Sequence, residues 1–158
     1  MTTQPNTTPL LSKVHLYTID GEAIPQGSKT VAQGGGKVWL RDSNPKLKAW
    51  RESVTDQVKH FMTANQFEPF EKGDAIRAVI LFKLPKPKTV ARELPTVKPD
   101  LDKLIRSIFD SLTAAGVWVD DSQVVQIQAG KIYCKDGDTP NVIINLHKSP
   151  STMRIVEP

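Results

Sequence analysis

The chemistry this chain could perform rests on aspartates. Asp100 and Asp102 follow Pro99, and Asp120 and Asp121 stand side by side farther along. Carboxylates gathered at one place repel and take up protons unless a cation offsets their charge. A donor set made only of oxygen suits Mg2+ or Mn2+ and is poor for zinc. The single Cys134 and the scattered His15, His60 and His147 offer no zinc-ligand spacing either. Taken singly, each acid has an ordinary use: Asp100 as a helix cap, Asp102 or Asp110 as a partner of Arg106, Asp120-Asp121 as a polar turn. Taken together they make a candidate metal site.

Helix geometry constrains how the first pair could be held. Residues two apart are turned by about 200° around a helix, so Asp100 and Asp102 face one ion only if Asp100 lies at or before the cap. The pattern supports that placement. Leu101, Leu104, Ile105, Ile108 and Leu112 form one apolar stripe, which predicts a helix over residues 99–112 that Gly116 ends. Val117–Val119 is expected as a short strand, interrupted by Asp120–Gln123 before an extended run from Val124 to Cys134. Adjacent side chains of an extended segment diverge, so one of Asp120 and Asp121 is expected to face the site while the other supports it. Lys135–Pro140 reads as a hairpin turn and Val142–Leu146 as the last strand.

Upstream, Val14–Ile19 reads as a first strand, stopped by Asp20-Gly21. Gln26–Lys37 has the composition of a mobile glycine-rich loop, with Val38-Trp39-Leu40 a short strand after it. Its glycines lack the Gly-Lys-Ser/Thr spacing of a phosphate loop, so no nucleotide cofactor is expected. Asn44-Pro45 opens an amphipathic helix marked by Leu47, Trp50, Val54, Val58 and Phe61. Ala75–Leu84 is apolar enough for a central strand. Lys83–Lys98 is proline-rich and basic, an extended exposed loop. The sum is an α/β chain of the α+β type: a small mixed sheet of four or five strands with two main helices. One domain is expected over residues 13–148, with tails at 1–12 and 149–158.

Charge and hydropathy exclude some classes. The 21 Lys and Arg exceed the 17 Asp and Glu by four, a mild excess whose meaning depends on where it gathers. It gathers in the loop, at Lys86, Lys88, Arg92 and Lys98, and on the first helix, at Lys46, Lys48 and Arg51. No uncharged apolar run approaches the roughly 20 residues of a membrane span, and the start has no secretory pattern, so a cytoplasmic protein without membrane association is expected.

The run KPDLDKLIRSIFDSLTAAGVWVDDSQV, residues 98–124, resembles the signature of the RusA family of Holliday junction resolvases. Weaker likeness extends to Gly21 and Pro25, to Trp50-Arg51 and to Lys131. The resemblance implies a RusA-like fold and a Mg2+-dependent endonuclease. Such an enzyme works as a homodimer and cuts four-way DNA junctions in recombination and repair. It assigns the metal to Asp100, Asp102 and Asp121, with Asp120 as neighbour. The family places a lysine four residues after the second acid; this chain has Arg106 there, and Lys103 where the family commonly has Asn. Arginine keeps the charge and can clamp a phosphate, but it cannot shed a proton. Lys29, Lys46, Lys48, Arg51, Lys86, Lys88, Arg92, Lys98, Lys103 and Lys131 are then expected along the DNA backbone. Two other readings stand beside this one: a non-catalytic protein that grips branched or single-stranded DNA, its Arg106 marking lost catalysis, and a metal-dependent phosphohydrolase of small nucleotides.

Overall fold

The computed structural model describes residues 13–27, 29–42 and 44–150, with the side chains of 29, 30, 41 and 42 left out. The N-terminal tail, and the C-terminal tail from residue 151, lie outside the described residues, as does the side chain of Lys29.

Alternation builds the main sheet. β1 (Val14–Asp20) buries His15, Tyr17 and Ile19 and turns the residues between them to solvent. Later in the chain, β4 (Ile76–Leu84) buries every second residue from Ile76 to Leu84, and β6 (Asn141–Lys148) buries Val142, Ile144 and Leu146. Two helices cover that apolar face. α1 (Lys46–Ala64) contributes Leu47, Trp50, Val54 and Val58; α2 (Leu101–Ala114) contributes Leu104, Ile108 and Leu112. Ser107 and Ser111 are also buried on α2, and their hydroxyls donate to Leu104 O and Ser107 O, so neither serine is stranded.

The strand order is β1-β6-β4-β5, where β5 is Val124–Tyr133. β4 and β5 run parallel, joined through α2, and the other pairs are antiparallel. The expected first helix, the interior position of β4 and the long second helix are all present.

Three local expectations are corrected. Lys135–Pro140 is not a hairpin turn, because β6 pairs with β1 and β4 and leaves β5 at an edge. The connection has to step past only one strand, about 10 Å across, and β4 offers the more apolar neighbour. Val117–Val119 is no strand: Val117 and Trp118 are buried, the indole donating to Thr113 Oγ1 at 2.7 Å, and a 3-10 turn, Asp121–Gln123, follows. The glycine-rich segment is ordered as a separate hairpin of β2 (Lys29–Gly34) and β3 (Lys37–Asp42), closed by Gly35-Gly36. Both turn glycines have positive φ, 57° and 74°, as a two-residue hairpin loop requires.

Candidate metal and DNA site

Asp100 is the N-cap of α2, extended at φ −70°, ψ 135°, and its carbonyl accepts from Leu104 N at 3.1 Å. Its carboxylate makes no capping bond. The ordinary use of an N-cap aspartate therefore does not account for this side chain, which lies 3.5 Å from Lys103 Nζ. Asp102 projects from the first turn and is exposed. Both sit at the N-terminal, positive end of the helix dipole.

The neighbours of Asp100 hold it in place. Lys131 Nζ donates to Val97 O at 2.6 Å and to Pro99 O at 2.8 Å, pinning the segment that leads into the cap. Gln26 N donates to Lys103 O at 3.0 Å from the other side. Gly21 starts that second segment at φ 121°, and a Cβ there would come within 3.0 Å of the Trp50 ring. A cavity of about 460 Å3 lies between these pieces, lined by Pro25, Gln26, Asn44, Lys98, Asp100 and Lys103 among others.

The second acid motif is a built turn. Asp120 Oδ1 accepts from Ser122 N at 2.8 Å, and hydrogen bonding from Ser122, side chain first and backbone second, holds the Asp120 carboxyl below its ordinary range. Gln123 closes a reciprocal capping box: its Oε1 accepts from Val119 N and Asp120 N, and its Nε2 donates to Glu71 O and Asp74 O. Asp120 thus supports the turn, while Asp121 is exposed. The Asp-x-x-Gln spacing carried this signal in the sequence.

The two motifs do not converge within one chain. The Asp121 turn is bonded to Glu71 and Asp74, just before β4 begins. Asp100 stands at the other end, beside Lys131, which pairs with Phe82 near the end of β4. The length of α2, about 20 Å, separates them. Among the described residues no three His, Cys, Asp or Glu side chains gather to hold a metal. Asp100 and Asp102 fit a hard cation by donor chemistry, and among the described residues no third carboxylate gathers with them.

The basic residues divide. Arg51 is tied to Asp110 across the helix pair, and Lys48 lies 4.0 Å from Glu52. Arg92 Nε donates to the Tyr133 hydroxyl at 2.9 Å, and Lys86 lies 5.8 Å from the centre of the same ring, so the basic loop packs on the end of β5. Lys46, Lys88, Lys98 and Arg106 are exposed, and none of them has an ion pair among the described residues. Lys131, expected on DNA, donates to two backbone carbonyls.

A family model described as endodeoxyribonuclease RusA matches residues 20–147. The chain is also 28% identical over 134 residues to the uncharacterized protein YqaN of Bacillus subtilis (strain 168), covering 76% of this chain and 88% of that one. The matched span takes in the cap of α2, the built turn after it and the sheet that holds both. This chain belongs to the RusA endodeoxyribonuclease family.

Proposed function

We propose that this protein is a Mg2+-dependent homodimeric endonuclease that resolves four-way DNA junctions by paired cuts. In this reading each site is shared: Asp100 and Asp102 come from one subunit, and Asp121 is the partner's. The observation that carries it is the cap carboxylate of Asp100, unused by its own helix, beside Asp102, Lys103 and a cavity bordered by Lys98, in a chain of this family.

The separation of Asp121 supports a dimer rather than opposing a site. β5 is an edge strand with Val125 and Ile127 exposed, running from the Asp121 turn to the Lys131 end. A two-fold axis through the middle of β5 exchanges those ends, so antiparallel pairing of two copies carries the partner's Asp121 toward Asp100. Two symmetric cuts also call for two symmetric sites. An edge strand left bare is a liability that such pairing removes.

Asp100, Asp102 and Asp121 would hold the cation, which when bound can supply an activated water and charge stabilisation at the phosphoryl group. Arg106, one helical turn from Asp102, stabilises charge on the phosphoryl oxygens; Lys103 shares that task from its place beside Asp100. Arg106 keeps its proton, so it is no general base. Lys88, Lys98 and Lys46 align the strand through its phosphates.

The test is cleavage of a synthetic four-way junction with Mg2+ or Mn2+, against linear duplex as control. The wild-type protein should cut the junction, and Asp102→Asn should lose cleavage by at least about a hundredfold while binding it without metal. A wild-type protein that binds junctions and leaves them uncut favours the binding protein. Equal turnover of free nucleotides favours the small-molecule hydrolase.

A further inference from the structure

We infer that the β2–β3 hairpin is a branch-point probe, with Trp39 stacking on a base exposed where the arms of the junction meet. This rests on the junction-cutting reading and names the part of the chain that would recognise the substrate's shape.

The hairpin springs from the candidate site. Gly27 and Asn44, at its two ends, line the same cavity as Asp100 and Lys103. Its strands pair with each other and with no strand of the main sheet. Six-residue strands reach about 20 Å, roughly six nucleotide steps along a DNA strand. The tip is therefore placed to meet DNA near the cleaved phosphate.

Its surface is unusual for a solvated arm. Val31, Val38 and Leu40 are each more than 60% exposed and, by register, Val31 and Leu40 are opposite one another with Val38 on the same face. Trp39 takes the other face, opposite Ala32 and next to Gly34. A Cβ on Gly34 would lie 2.9 Å from the indole, so the ring rests where only glycine leaves room. Trp39 remains 48% exposed, backed by the strand and open on its other side. Lys37 lies opposite Gly34 on the same face, and residues 29–42 carry Lys29, Lys37 and Arg41 against Asp42 alone.

An exposed aromatic platform with cationic neighbours fits a nucleobase on a phosphate strand. Stacking is tolerant of sequence, as recognition of a branched shape demands. It also discriminates: a base at a branch is cheaper to unstack than one inside a continuous duplex. A second copy of this chain could cover apolar residues too, but the positive charge of the hairpin favours a polyanion over another copy of itself.

The experiment measures binding of the full chain, without metal, to a four-way junction and to linear duplex. Trp39→Ala should weaken junction binding about tenfold and change duplex binding less than about twofold, while Trp39→Phe retains most of the affinity. Gly34→Ala, which keeps the indole but displaces it, should weaken junction binding as well. Trp50 and Trp118 are buried, so quenching of tryptophan emission by the junction should be lost in Trp39→Phe. The inference is overturned if Trp39→Ala binds junctions as tightly as wild type. It is equally overturned if that variant sediments as a half-mass species, since the hairpin is then a subunit contact. Failure of the wild-type protein to cut junctions would remove the nuclease reading and leave this binding result standing on its own.

Discussion

Lys131 and His15 show how much a side chain's role depends on what it touches. Lys131 was expected on phosphate, yet its ammonium holds the carbonyls of Val97 and Pro99 and so aims the cap carboxylate of Asp100. Lys131→Met should therefore lower junction cleavage by about tenfold while leaving the salt dependence of DNA binding unchanged; a phosphate contact would instead reduce that slope by about one. His15 lies outside the site, buried under Phe67 and Phe70 and bonded to the Tyr17 hydroxyl at 2.7 Å. Burial lowers its pKa from 6.5 to about 4, with a backbone hydrogen bond at Glu68 acting the other way. The unfolded chain takes up this proton near pH 6.5 and the folded chain resists it until about pH 4, so stability is full above 6.5 and falls as pH drops through that window. Urea unfolding should show a loss of about 2 kcal/mol between pH 7 and pH 5 that His15→Phe abolishes. The candidate acids stood out by residue type, and Asp100 at the cap followed from helix geometry. The fate of Lys131 was not, because it is decided by a partner more than thirty residues away.

At the scale of elements, the stripe on α2 and the strands β1, β4 and β6 could be read directly, since each is a local pattern set by burial. What could not be read was pairing. β5 and β6 are neighbours in sequence and not in the sheet, and the segment 117–119 is buried without being a strand. Both outcomes turn on which long-range partner wins. The Asp120–Gln123 turn shows the opposite case: it was expected only as a polar break, yet its Asp-x-x-Gln spacing is the local signal of the capping box found there. Because Gln123 bonds four backbone groups, Gln123→Ala should cost about 2–3 kcal/mol in urea unfolding and slow cleavage through a displaced Asp121, with junction binding retained.

At the scale of the whole molecule, the acid motifs lie at opposite ends of one helix. Sequence order brought the motifs close in the chain and concealed that α2 holds them apart. In the proposed dimer a second copy paired along β5 would supply what one chain lacks, and that sharing can be measured without a structure. Asp121→Asn and Asp100→Asn proteins, each inactive alone, are mixed and allowed to exchange subunits, then offered a four-way junction with Mg2+. Shared sites predict that the mixture nicks the junction, with about a quarter of the wild-type sites restored, since half the dimers are mixed and each has one intact site. A mixture as inactive as either variant alone would contradict the account.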